Sequence, residues 1–301
     1  MSREEHFRSG FVAIVGRPNV GKSTLMNHIL GQKISITSSK PQTTRHRILG
    51  IKTTAESQVI YVDTPGVHLN AINAMNRYMN RAATSSIEDV ELILFLVEAG
   101  TWTEEDENVL QRLKTVKAPV VLVINKIDRI KDKEELFPVL EELSQKMDFA
   151  SVIPLSATKG SNVKALEKLI NERLPEAEAV FPEDYVTDRS ERFLAAELIR
   201  EKLMRGLGKE LPYATTVEIE SFKQEKGMLR IHALIWVERD SQKRIVIGKG
   251  GEKLKEVGQQ SRLDMERLFD AKVFLQLWVK VKEGWSDNER LLNSLGYKDE
   301  F

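Results

Sequence analysis

An apolar run at residues 11–15 leads directly into Gly16-Arg17-Pro18-Asn19-Val20-Gly21-Lys22-Ser23, and no other stretch restricts the folding of this chain so severely. The spacing is that of a phosphate-cradling P-loop in the setting such a loop requires: strand, glycine-bearing turn, helix. Glycines at 16 and 21 let backbone N–H groups wrap a phosphate where a side chain would obstruct it. The helix starting near Lys22 adds the positive end of its dipole. Lys22 is expected to bridge β- and γ-phosphates, and the Ser23 hydroxyl to hold Mg2+. Residues up to 173 agree with this start: strands read at 11–15, 47–53, 59–63, 92–97, 120–124 and 152–155 alternate with helical patterns. That is the signature of an α/β domain with a mostly parallel sheet and helices on both faces.

Three further motifs fall at strand ends. Asp63-Thr64-Pro65-Gly66 offers a carboxylate able to hold Mg2+ directly or through water, and the Gly66 N–H is a natural γ-phosphate sensor. Asn125-Lys126-Ile127-Asp128 identifies the base. The single carboxylate of Asp128 can accept both the N1–H and the exocyclic N–H of guanine, a pair adenine lacks, and an unpaired buried partner rejects the wrong base. Asn125 should tie this loop to the P-loop, with the Lys126 stem over the base plane. Ser156-Ala157-Thr158 would present backbone N–H to the guanine oxygen, although a helix N-cap reads equally well. Between residues 32 and 46 lies a polar loop containing Thr43 and Thr44, either of which could complete a Mg2+ shell when the γ-phosphate is present. GTP and GDP are thus the expected ligands.

The 45 basic and 45 acidic side chains cancel, so a nucleic-acid partner needs a local basic patch rather than bulk charge. There are no cysteines, which excludes disulfides and thiolate chemistry. Without a secretory apolar core near the start or a run long enough to span a bilayer, a cytoplasmic monomer is expected. Residues 174–188 carry two prolines and five acidic residues with no apolar period, and read as a linker. Beyond it come a helical pattern through Phe193, Ile199 and Leu207, a strand near 213–222, and strict alternations at 229–237 and 273–281. A helical stretch at 245–269 separates the last two, giving a smaller α+β unit. The domains are accordingly set at 1–175, 176–190 as linker, and 191–301.

GRPNVGKST, QTTRHRILGI, YVDTPG, NKID and SAT, with VIGKGG near the end, resemble the Era family of bacterial GTPases along the whole chain. The resemblance implies a P-loop GTPase domain joined to a type II KH domain and GTP hydrolysis with Mg2+. It also implies binding to the 3′ region of small-subunit ribosomal RNA during assembly of the small ribosomal subunit, and a partly membrane-peripheral distribution. Alignment with related GTPases favours Thr44 over Thr43 as the Mg2+ ligand beside Ser23 and Asp63. Likeness to potassium-activated GTPases suggests that the Asn19 side chain helps to hold K+, with simple hydrogen bonding within the loop as the alternative. Val67 stands where many GTPases carry a water-orienting glutamine, so hydrolysis should be slow unless another group completes it. No catalytic base is assigned.

Gly248-Lys249-Gly250-Gly251 fits the GxxG loop by which KH domains clamp about four nucleotides of backbone. Lys253 follows, and residues 242–262 hold Lys243, Arg244, Lys249, Lys253, Lys255 and Arg262 against only Glu252 and Glu256. The alternating strand rows read as core, and Trp236, Trp278 and Trp285 as packing residues without an assigned role. Two competing functions stand beside the RNA-binding switch. One is a signalling or membrane-associated GTPase whose second domain binds protein; the other, kept open by Val67, is a nucleotide-binding scaffold without turnover.

Overall fold

The computed structural model describes residues 6–66, 74–87, 89–130, 134, 136–208, 211–295 and 297. Val67 lies outside the described residues. Six strands form the first sheet: β1 (Arg8–Val15), β2 (Ile48–Thr53), β3 (Ser57–Asp63), β4 (Leu92–Glu98), β5 (Val120–Asn125) and β6 (Ser151–Pro154). Their order is β2-β3-β1-β4-β5-β6, parallel throughout except for the antiparallel edge strand β2.

The apolar runs explain the layers. Ile14, Leu94 and Val123 point into one core shared with helices α1 (Lys22–Leu30) and α5 (Val163–Arg173). Their neighbours Ala13, Phe95 and Leu122 point into a second core with α3 (Glu104–Leu113) and α4 (Leu136–Ser144). Strands buried on both faces read as continuous hydrophobic runs, as these do. Leu94 and Phe95 are both inaccessible to solvent; truncating either to alanine should cost about 3–5 kcal/mol. Because β1 lies between β3 and β4, chain connections leave it in opposite directions. A crevice therefore opens at the carboxyl ends of the strands, where the P-loop, Asp63, Asn125 and Ser156 all sit.

The linker is not a loose tether. Val186 O accepts from Ile51 N at 2.8 Å and Asp188 Oδ1 from Leu49 N at 3.2 Å, so the segment covers the free edge of β2. Phe181 packs on Leu49, Ile51, Ile60 and Val62, while the Gln58 side chain pairs with the backbone of residues 180 and 181.

A second sheet holds β7 (Thr215–Glu225), β8 (Met228–Val237) and β9 (Lys272–Val281), with β8 central, antiparallel to β7 and parallel to β9. Helices α6 (Glu191–Gly206) and α8 (Glu252–Phe269) close its inner face through Leu198, Ile199, Val257 and Met265 against Ile231, Ala233 and Ile235. The helical stretch read at 245–269 comprises two helices, α7 (Asp240–Ile247) and α8, parted at the GxxG loop read at 248–251. Gly248, Gly250 and Gly251 have φ of 77°, 61° and 82°, which a right-handed helix cannot absorb. Near the end of the chain, Trp285, Tyr297 and helix α9 (Glu289–Ser294) return to the first unit. They pack on Met75, Tyr78 and Met79 of α2 (Ala74–Ser85). Among the described residues, no helix is long and apolar enough to cross a membrane.

Candidate functional site

A cleft of about 530 Å³ opens at the carboxyl ends of the strands. One wall comes from the P-loop and the NKID loop, and the other from residues 36–44, with Gly66 between them.

The first wall is tied together by side chains of its own unit. Asn125 Nδ2 donates to Val20 O at 2.7 Å, while its Oδ1 accepts from Lys126 N at 2.8 Å and Ala157 N at 3.0 Å. One amide thus joins the P-loop, the NKID loop and the SAT loop. Gly21 leaves room for it: with φ of 107°, a Cβ there would meet Asn125 Nδ2 at 2.3 Å. Ser156 Oγ donates to Asp128 Oδ1 and fixes that carboxylate at the cleft rim. The Ala157 N–H, expected to face the base, is already paired with Asn125, so a base oxygen would have to share that donor.

Lys22 is buried, and its Nζ donates to Gly16 O at 2.8 Å and Arg17 O at 3.0 Å. Burial lowers its ammonium to about 8, with Asp63 pulling the other way. Gly16, Arg17 and Val20 do not line the cleft, whereas Pro18, Asn19, Gly21, Lys22 and Ser23 do. The Arg17 side chain turns away from it towards Asp106, at 2.9 Å, and Glu98, at 3.4 Å, so any phosphate contact from this residue comes from its backbone.

Ser23 Oγ lies 3.0 Å from Thr44 Oγ1 and donates to Asp63 Oδ2 at 2.7 Å, where Ser35 Oγ also donates at 2.7 Å. Thr43 Oγ1 turns instead to Lys40 O, so Thr44 is the threonine brought to Ser23. Asp63 is fully buried, which pushes its carboxyl up, and its Oδ1 has no hydrogen-bond partner among the described residues. An orphaned carboxylate oxygen beside two hydroxyls is a donor set suited to a small hard cation. Asn19 Nδ2 meets the carbonyl of Ser39 at 2.9 Å and links the two walls.

The second wall is held from the C-terminal unit, by residues that no motif announced. Glu201 of α6 is inaccessible to solvent and accepts from Thr37 N at 2.9 Å and from Lys33. Lys33 also reaches Asp264 of α8 at 3.1 Å. Lys40 Nζ donates to the carbonyls of Met204, Leu207 and Gly208 at the end of α6. Arg200, paired with Glu197, donates to Thr43 O. Arg45 is fully buried and donates to the carbonyls of Thr215, at 2.9 Å, and Tyr213, at 3.2 Å. His46 stacks on Tyr297 with ring centroids 4.6 Å apart and pairs with Tyr78 Oη at 3.1 Å. Burial lowers its imidazole to about 3. Long-range contacts of this kind leave no local sequence pattern.

The second candidate site is the turn between α7 and α8. Lys249, Gly250 and Lys253 are exposed. Gly248 lies so close to Lys253 that a Cβ would meet that lysine's Cγ at 2.9 Å, and the Lys253 stem is thereby folded against the turn. Gly251 caps α8 without a side-chain acceptor, leaving first-turn N–H groups for an anion.

Residues 11–126 match the family described as 50S ribosome-binding GTPase, and residues 210–286 match the KH domain. GTPase Era of Pseudomonas aeruginosa is 62% identical over 292 residues, covering 97% of this chain and 96% of that protein. GTPase Era of Azotobacter vinelandii is 59% identical over 299 residues, covering 99% and 100%. Among solved structures, an Aquifex aeolicus Era variant bound to GDP·AlF4− superposes with a TM-score of 0.93 at 40% identity, covering 97% of this chain and 99% of that one. Era in complex with MgGDPNP and nucleotides 1506–1542 of 16S ribosomal RNA superposes with a TM-score of 0.94 at 41% identity, with the same coverage.

Proposed function

The chain belongs to the Era family of GTPases, and from that membership we propose that it is an RNA-docked switch. In this reading, GTP in the cleft governs how the KH domain holds small-subunit ribosomal RNA during assembly of the small subunit. It is a GTPase with a P-loop domain and a C-terminal KH domain, divided at residues 176–190. The observation that carries the coupling is the segment 33–46, whose residues 36–44 form the second wall of the cleft: it is held by Glu201, Arg200 and Asp264, which belong to the RNA-binding half.

In the ligand-bound protein, the P-loop N–H groups and Lys22 hold the β- and γ-phosphates. Lys22 then exchanges the carbonyls of Gly16 and Arg17 for phosphate oxygens. Asp128, steadied by Ser156, accepts the guanine N–H pair, and Lys126 covers the ring. Mg2+ would be held through Ser23, Thr44 and Asp63, and it supplies charge neutralisation on the transferring phosphoryl group. The orphaned Asp63 oxygen supports that assignment. Thr44 and Gly66 report the γ-phosphate from the two sides. K+ is assigned to the side-chain oxygen of Asn19, whose Nδ2 holds the Ser39 carbonyl. It should accelerate hydrolysis over Na+ at equal ionic strength, an advantage that Asn19→Ala should remove. Without a supplied group the hydrolysis is slow. The protein works as a cytoplasmic monomer, and its membrane association is peripheral.

RNA backbone enters at Gly248-Lys249-Gly250-Gly251, with Lys253 and the N-terminus of α8 facing phosphate. Replacing Lys249 and Gly250 together with Asp should lower RNA affinity at least tenfold at physiological salt and leave GTP affinity unchanged. Normal RNA binding by that double variant, measured by filter retention of a 16S 3′-end fragment, would remove the KH loop from the reading.

A further inference from the structure

Glu98 ends β4 directly beside Asn125 in the strand register, so its carboxylate emerges next to the NKID loop. Three cations from two segments, the P-loop and the NKID turn, meet on it. Lys126 Nζ donates to its Oε2 at 2.7 Å, Arg17 Nη2 lies 3.4 Å from the same oxygen, and Arg129 Nη1 donates to Oε1 at 2.7 Å. Glu98, Lys126 and Arg17 are only 16%, 18% and 13% exposed, so this is not a solvated surface pair. Arg17 is gripped again by Asp106, the inaccessible capping residue of α3, through Nε at 2.9 Å. Although burial opposes ionisation, the surrounding cations hold the Glu98 carboxyl below the usual carboxylate range.

Lys126 sits in a left-handed backbone conformation, with φ of 65°, which fixes where its stem leaves the loop. A lysine stem that covers a base needs an acceptor at its far end; otherwise the ammonium is free to swing toward the phosphates. We infer that Glu98 is a positioning residue of the nucleotide site, one that holds the Lys126 ammonium beyond the base plane and locks it to the P-loop through Arg17. The inference rests on the reading of this cleft as a guanine-nucleotide site. It separates two tasks within the NKID loop. Asp128 tells guanine from other bases, while Glu98, acting through Lys126, sets how tightly any purine ring is covered.

The two tasks come apart experimentally. Glu98→Gln keeps the length of the side chain and one acceptor oxygen but removes the charge that makes its hydrogen bonds strong. In the full chain, the dissociation constants for GDP, GTP and IDP should rise by the same factor, about tenfold. The guanine-over-hypoxanthine preference should stay within twofold of wild type. The loss should fall on KM for GTP and spare kcat, since the reacting atoms are untouched. In a Lys126→Met background the Glu98→Gln change should add nothing, because the partner through which it acts is gone.

Unchanged dissociation constants in Glu98→Gln would overturn the inference, as would an equal loss in the Lys126→Met background or a shifted guanine preference. Should the Gln variant not fold, Glu98→Asp keeps the charge but shortens its reach by one methylene, and it is judged on the same criteria. Failure of wild-type protein to bind guanine nucleotide would overturn the reading of the cleft itself, a result distinct from wild-type binding that Glu98→Gln leaves intact.

Discussion

The two walls of the nucleotide cleft are built on different plans. The wall of the P-loop, NKID and SAT loops is internally bonded: Asn125 reaches Val20 and Ala157, Ser156 steadies Asp128, and Glu98 gathers Lys126 and Arg17. The opposite wall, residues 33–46, depends on partners more than 150 positions away, including Glu201, Arg200, Met204 and Thr215. One wall is held in place by its own hydrogen bonds, and under the proposed reading it is the wall that selects the base. The other is tied to the C-terminal unit, so a change in that unit is expected to reach this side of the cleft.

Lys22→Ala strikes the preorganised wall hardest. It removes the buried ammonium assigned to the phosphates and should raise the GTP dissociation constant at least a hundredfold, on the scale of a lost charge-assisted contact in a desolvated site. RNA affinity of the C-terminal domain should be untouched. Titration with a fluorescent GTP analogue measures the first effect, and loss of both activities would contradict the separation of the walls.

Asp128→Asn probes the same wall at the base. Exchanging a carboxylate for an amide should favour xanthine over guanine nucleotides, moving their affinity ratio by about a hundredfold or more. Competition between GTP and XTP reads it directly, and an unmoved ratio would take Asp128 out of the base site.

Glu201→Gln tests the borrowed wall. The substitution weakens the hold on Thr37 and Lys33 and leaves Lys202 and Arg205 short of charge. It should cost about 1–3 kcal/mol of stability and reduce the preference for GTP over GDP severalfold, with guanine selectivity unchanged. Denaturant melts combined with GDP and GTP titrations check both parts; equal losses for the two nucleotides would show that the walls are not separable in this way.

The effect that is smallest at neutral pH is set by His46, in the same borrowed wall. Its imidazole falls from 6.5 in the unfolded chain to about 3 in the fold, through burial first, with Glu197 opposing and Arg200, Arg189 and Arg45 reinforcing. Between those values the unfolded chain binds a proton that the fold excludes. Stability is therefore intact above pH 6.5 and declines by up to about 1.4 kcal/mol per unit as pH falls toward 3. His46→Phe should flatten the dependence of stability on pH in that window, and an unaltered slope would assign the acid sensitivity elsewhere.

Much of the molecule was legible because its signals are local. A P-loop must follow a strand, a buried parallel strand must be apolar on both faces, and Asn125 and Asp128 stand three residues apart on one turn. Boundaries moved only slightly, with β1 starting at Arg8 and β4 extending to Glu98. The GxxG loop marked the break within 245–269, while the start of α7 at Asp240 was missed because Val246 is the buried residue of that helix. The acidic, proline-bearing linker was legible as irregular but not as an edge cover, since it meets β2 through isolated bonds to Val186 O and Asp188 Oδ1 that follow no sequence pattern. Glu98, Glu201 and Arg45 were invisible for one reason: each derives its role from residues remote in sequence. Trp285, left without a role, proves to be a fully buried contact with α2.

Lys40 caps the end of α6 from across the domain boundary. Helix ends fray when their last carbonyls lose such partners. Rearrangement of the 33–46 segment around a γ-phosphate would therefore change how many turns α6 retains as well as where the segment lies. Amide hydrogen exchange at residues 203–208 should then act as a gauge of nucleotide state, read from a helix that does not line the cleft.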